Sequence, residues 1–189
     1  MNIINIFDES IIEFAYSLHN NYKILDIFFN AVTYLGEALP LITLTIILIF
    51  IKRTRLCGIN MALSLFISIF IGAVILKPLI ARERPFACPI YNEYWIAVGK
   101  HLEISFSCPS SHTTASFAVL FTFFLYFNKK YSFAALIIAL MIGFSRVYLM
   151  VHYPSDVIFG ICIGIIVSSL TYFILNKKTV KEKLIRFYN

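Results

Sequence analysis

Apolar residues in this chain gather into long runs instead of alternating with polar ones. Residues 38–51, 57–76, 113–127, 131–150 and 157–175 are nearly free of charge, and the first run is preceded by the softer stretch 31–37. A helix that crosses a bilayer needs about 20 mainly apolar residues. The pattern therefore predicts an all-α integral membrane bundle with five spans, or six if the N-terminal stretch also crosses. In residues 1–35, Ile3, Ile4, Phe7, Ile11, Ile12, Phe14 and Ala15 recur at roughly helical spacing, with Asp8, Glu9 and Glu13 on another face. That predicts an amphipathic helix lying in the membrane interface. Residues 24–35 form either a second such helix or the start of a tilted first span. No repeat or linker divides the chain, so residues 1–189 read as one membrane-embedded domain. Residues 1–20 carry acids and no basic segment, so no cleavable signal peptide is expected.

Composition agrees: 60% of the 189 residues are hydrophobic and 14% charged, greasier than an ordinary soluble domain. The net charge of +6 raises nucleic acid as a partner, but its distribution argues against one. Lys52, Arg53 and Arg55 follow the first apolar run, Lys129 and Lys130 separate the third and fourth, and Lys177, Lys178, Lys181, Lys183 and Arg186 follow the fifth. With five spans these groups share one side of the membrane, and the positive-inside rule makes that side cytoplasmic. Residues 79–111 and 146–156 then face outward. Tyr91, Tyr94 and Trp95 in the first of these loops suit an aromatic belt at headgroup level. Cys88 and Cys108 share that loop, where a disulfide would staple it; their spacing leaves the pairing open. No metal-ligand spacing is present, and no cofactor is expected.

Three polar clusters fall on the outward side. The first is Lys77-Pro78-Leu79-Ile80-Ala81-Arg82-Glu83-Arg84-Pro85, the second Pro109-Ser110-Ser111-His112, and the third runs from Ser145-Arg146 through His152 to Asp156. Charged groups at membrane helix ends are costly and point to function. Lys77 and Arg84 supply fixed cations, and Arg84 can bind two oxygens in a planar fork. Pro109 and the serines stand at the predicted start of a helix, where unpaired N–H groups favour an anion. Asp156, four residues after His152, can fix its tautomer and leave Nε2 free to attack. Cations, hydroxyls and two histidines suit a phosphoryl group.

In order, Lys-x6-Arg-Pro, Pro-Ser-x-His and Ser-Arg-x5-His-x3-Asp resemble the signature of the type 2 phosphatidic acid phosphatase (PAP2) superfamily. The resemblance implies that His152 is a nucleophile forming a phosphohistidine and that Asp156 orients it. It implies that His112 protonates the leaving oxygen and later activates water. Lys77, Arg84, Ser110, Ser111 and Arg146 would hold the phosphoryl oxygens, without a metal. Ser111 departs from the pattern, because glycine is usual there; a serine serves if its φ is negative and is strained if φ is positive. The small size and the position of the clusters resemble bacterial undecaprenyl-diphosphate phosphatases. The expected partner is accordingly a lipid phosphate or diphosphate among membrane lipids, handled at the outer face of the cytoplasmic membrane. Phosphatidylglycerophosphate or phosphatidic acid is the alternative substrate, and a non-catalytic lipid-phosphate binding or transport protein the alternative class.

Overall fold

The computed structural model of the chain describes residues 3–178 and contains no strand among them. Lys181, Lys183 and Arg186, counted above toward topology, lie outside the described residues. The chain forms α1 (Ile3–Asn21), α2 (Ile24–Leu35), α3 (Ala38–Phe50), α4 (Arg55–Ile69), α5 (Lys77–Ile80), α6 (Pro89–Ala97), α7 (Ser111–Tyr126), α8 (Lys129–Tyr148) and α9 (Pro154–Leu175). A π-helical stretch, Phe70–Leu76, joins α4 to α5 without a break.

Among the described residues, three helical runs are long and apolar enough to cross a membrane: Arg55–Ala87, Lys129–Tyr148 and Pro154–Leu175. A fourth arises if α2 and α3, bent by 47° at their junction, count as one broken span. The apolar run at 113–127 becomes α7, a helix of 16 residues, about 24 Å long at 1.5 Å per residue. It does not need to match the bilayer thickness, because it is the central post of the bundle. Residues Thr113 to Leu120 are all buried, and α4, α8 and α9 pack around them. Two glycines set the closest of these contacts. A Cβ on Gly164 would lie 2.6 Å from Cβ of Phe117, and one on Gly160 would lie 2.9 Å from Oγ1 of Thr114. Four residues apart, they let the α9 backbone approach α7, the small-residue solution to helix packing in lipid.

Where the chain leaves the bundle, local chemistry decides the path. Pro78 cannot donate a backbone hydrogen bond, and the preceding turn widens, with the Lys77 N–H reaching Gly72. Such π-turns are frequent at functional sites. Ala81 then adopts a left-handed φ of 48° and ends α5. At the same end of the bundle, Met150, at φ 57°, stops α8 and turns the chain toward α9, which opens with Pro154 at its first turn.

Two expectations are revised. α1 is a helix, but its buried stripe is Asp8, Ile12, Ala15 and His19, while Ile3, Ile4, Phe7 and Phe14 are exposed. Asp8, expected on the polar outer face, points inward because a cation waits there. The aromatic segment is helical α6, since Pro89 suits a first helical turn. Its Trp95 is buried against Phe86, with Nε1 donating to the His101 carbonyl at 2.9 Å. Tyr94 stacks on Tyr16 of α1. These rings therefore cement a cap over the bundle end, and Trp95 is not an interfacial anchor. Cys88 and Cys108 are both free thiols, and burial pushes the Cys108 thiol up to about 12.

Candidate active site

The three polar clusters meet at one end of the bundle, at the exits of α5 and α8 and the starts of α7 and α9. Arg84 is the hub. It is 4% exposed, with Nε donating to the Ser105 carbonyl (2.7 Å) and Nη1 to the Val151 carbonyl (2.8 Å). Its Nη1 also lies 3.2 Å from Nε2 of His152. A guanidinium has no acceptor, so Nε2 must be the lone-pair nitrogen and the imidazole proton sits on Nδ1. That is the tautomer a nucleophilic Nε2 requires. Burial first, then the cations Arg84 and Arg146, hold the imidazole well below its ordinary range against the opposing pull of Asp156. His152 is therefore neutral at neutral pH.

Asp156 is placed by its helix. As the third residue of α9 it accepts the Tyr153 backbone N–H at 2.9 Å, as an N-terminal acid does. Its contact with His152 differs from expectation: Oδ2 is 3.7 Å from Nδ1, too long for a hydrogen bond. The Ser107 hydroxyl sits between them, donating to Asp156 Oδ2 at 2.5 Å and lying 3.4 Å from His152 Nδ1.

Arg146, 1% exposed, reaches from the last turn of α8 to Oγ1 of Thr33 at 2.6 Å. Its other terminal nitrogen binds Glu103, which also accepts from Arg84 Nη2 at 3.3 Å. Lys77, buried despite its charge, donates to the Ser105 hydroxyl at 2.8 Å. One carboxylate is thus gripped by two guanidiniums, with the Lys77 ammonium beside them. Among the described residues Arg146 Nε is buried and has no partner. A buried donor left unpaired costs about 1–3 kcal/mol, so the cradle is short of an acceptor.

The second cluster is split. Ser110 is fully buried, but its N–H is engaged by the Asp156 carbonyl at 3.2 Å, tying α7 to α9. The expectation of a free N–H at Ser110 is corrected. Its Oγ accepts from Thr113 at 3.0 Å and keeps its own proton for donation. Ser111 begins α7 and is not among the residues with positive φ, so the serine is unstrained where glycine is usual. The His112 ring turns to Glu37, with Nε2 3.1 Å from Oε1. Thr33 and Glu37 flank the α2–α3 bend, so that bend serves both Arg146 and His112.

Sequence reasoning missed Glu103, Ser105 and Ser107. Polar residues in a loop excite no suspicion, but their period did carry a signal. Leu102, Ile104 and Phe106 are exposed, while Glu103, Ser105 and Ser107 between them bond to Arg84, Arg146, Lys77 or Asp156. That is the two-residue alternation of an extended strap with one polar face. Thr33 and Glu37 were also missed, and Arg82, named in the first cluster, was given no role.

Comparison with known proteins identifies the family of the chain. The family model described as the PAP2 superfamily matches residues 58–179. An undecaprenyl-diphosphatase of Sulfolobus acidocaldarius is 33% identical over 147 residues, covering 78% of this chain and 69% of that protein. Phosphatidylglycerophosphatase B of Bacillus subtilis is 32% identical over 171 residues, covering 84% of this chain and 76% of that protein. The crystal structure of a transmembrane PAP2-type phosphatidylglycerolphosphate phosphatase from Bacillus subtilis superposes with a TM-score of 0.72 at 27% identity, covering 94% of this chain and 90% of that chain. A family match over more than half the length, and a solved relative that shares the helical layout, make this chain a membrane protein of the PAP2 superfamily.

Proposed function

We propose that the chain hydrolyses the terminal phosphate of a lipid phosphate or diphosphate through a phosphohistidine on His152, without a metal ion. The observation that carries this is the pairing of a lone-pair His152 Nε2 with a buried cationic cradle whose Arg146 Nε lacks an acceptor among the described residues. In the first step Nε2 attacks phosphorus, the N–P bond forms, and the bond to the leaving oxygen breaks. His112 donates the proton that oxygen needs. In the second step His112 takes a proton from water, which attacks phosphorus and releases His152 and inorganic phosphate. Lys77, Arg84, Arg146, Ser110 and Ser111 hold the phosphoryl oxygens as charge moves onto them. Asp156, with Ser107, keeps the Nδ1 proton in place.

The cleft beside the cradle, about 390 Å³ in volume, is lined by Lys77, Arg84, Glu103 and Ser105 together with apolar Ala73, Ile104 and Phe106. A polar floor with an apolar lip suits a phosphorylated headgroup whose tail stays in the bilayer. The preferred substrate is undecaprenyl diphosphate, the substrate for which the Sulfolobus relative is named. The fold match to the Bacillus phosphatidylglycerolphosphate phosphatase, over 94% of this chain, favours phosphatidylglycerophosphate as the second reading. Lys52, Arg53, Lys129 and Lys177 lie at the helix ends opposite the site, so by the positive-inside rule the cradle opens outside the cytoplasmic membrane.

The test is phosphate release by purified protein in detergent, with a chelator present, against polyprenyl diphosphate, phosphatidylglycerophosphate and phosphatidic acid. Release that persists with chelator and vanishes in His152→Ala is expected. Release that survives His152→Ala refutes the nucleophile, and dependence on an added divalent cation refutes the metal-free mechanism.

A further inference from the structure

Asp8 lies on α1, outside the residues the family model matches, and the reaction as proposed above gives it no task. It is nevertheless a carboxylate only 1% exposed. Such a charge is retained only with full compensation, and Asp8 has it. Its Oδ1 accepts the Ser155 backbone N–H at 2.8 Å, and its Oδ2 accepts the Ser155 hydroxyl at 2.7 Å and Arg82 Nη2 at 2.7 Å.

Arg82 is shared. Its Nη1 donates to Asp156 Oδ1 at 2.7 Å and to the Ser155 hydroxyl at 2.7 Å, and its guanidinium lies 3.9 Å over the Tyr153 ring. Both oxygens of Asp156 are thereby fixed. Oδ1 is held by Arg82, and Oδ2 by Ser107 and the Tyr153 N–H. We propose that Asp8 is a positioning residue for the reaction, acting through Arg82 to set where Asp156 sits and how much negative charge it presents to His152.

The physical reason is charge sharing. A guanidinium facing Asp156 alone would neutralise the carboxylate that must support positive charge on the imidazole as the N–P bond forms. With Asp8 on its other edge, Arg82 is divided between two acids, and the group of three keeps a net negative charge beside His152. The fork geometry of arginine is what allows one cation to serve both. The N-terminal helix thus reaches the catalytic turn from a part of the chain that the three motifs do not include.

This inference rests on His152 being the nucleophile, and the experiment separates the two. Full-length Asp8→Asn, Asp156→Asn and the double variant are compared in detergent with His152→Ala as control. Asp8→Asn is expected to lower kcat about tenfold, the scale of one charge-assisted hydrogen bond redistributed at the orienting acid, with KM within about twofold of wild type. The acid limb of its pH–rate profile moves to lower pH, because His152, faced by Arg84, Arg146 and Asp156, loses anionic support. In the Asp156→Asn background the same change adds little, since its route of action is already cut. A kcat and acid limb that match wild type in folded Asp8→Asn overturn the proposal, as does full additivity with Asp156→Asn. Should Asp8→Asn not fold, Arg82→Lys keeps the charge but cannot span both acids. Wild-type kcat in that variant overturns the proposal equally. If His152→Ala retains metal-independent release, the reading beneath fails instead, whatever Asp8 does.

Discussion

Glu103→Gln tests how the cradle is used, because the carboxylate bonds the two arginines that are proposed to bind the phosphoryl oxygens. Its two oxygens are gripped by Arg84 and Arg146, so an incoming phosphate must displace it. A hydrogen bond to a charged group contributes about 1.5–3 kcal/mol when buried. Glu103 makes two, but its side chain is 23% exposed, and solvent screening and side-chain ordering offset part of the gain. A net hold of about 1–2 kcal/mol remains, which raises the apparent dissociation constant of any competing anion by roughly 5–30-fold. Glutamine keeps the shape and removes the charge. The assay is product inhibition by inorganic phosphate, read as Ki, beside KM for the lipid substrate in mixed micelles. Both should fall by that factor in Glu103→Gln. A Ki that stays or rises would show that Glu103 organises the two arginines for substrate instead of competing with it.

Other outcomes follow from the same geometry. Because burial and neighbouring cations depress His152 below 6.5, the acid limb of kcat/KM should lie below pH 6.5; a limb at or above that value contradicts a buried neutral nucleophile. The sign for stability is the same. The unfolded chain binds the proton that folded His152 refuses, so this contribution is complete above 6.5 and is lost as pH falls through the depressed folded value, visible as an acid-side fall in the melting temperature. Ser107→Ala removes the hydroxyl between Asp156 and His152 and should lower kcat about tenfold with KM little changed; wild-type kcat would return the orienting role to Asp156 alone. Gly164→Leu drives a side chain into Phe117 and the Ala118 backbone, 2.6 and 2.9 Å from the new Cβ. It should cost about 1–3 kcal/mol or more and lower the melting temperature by several degrees, and an unchanged melt would disprove close α7–α9 packing.

What could be read from the chain and what could not divides along physical lines. Lys77, Arg84, Arg146, His152 and Asp156 stood out because a charge beside a membrane helix end demands a reason, and all five meet at the site. Helix existence was legible for the same reason, since long apolar runs have few alternatives in lipid. Glu103 and Ser107 were not, because polarity in a loop costs nothing until tertiary structure buries it. Asp8 was misplaced by a rule that is usually sound: helical periodicity sends acids to the wet face. It fails where a buried cation from elsewhere in the chain repays the desolvation, and Arg82 is 74 residues away in sequence. The bend after Leu35 was hidden for a related reason. Gly36 has room for no side chain, a Cβ there meeting Ile142 Cγ2 at 2.5 Å, and only the packing of α8 makes that visible. Motifs therefore mark the groups proposed to face the phosphate, while the groups that hold them in place are set by which helix ends the bundle brings together. Variation among members of this family should accordingly concentrate in that second set: a chain that lost the acid at position 8 would have to re-pair Arg82 or replace it.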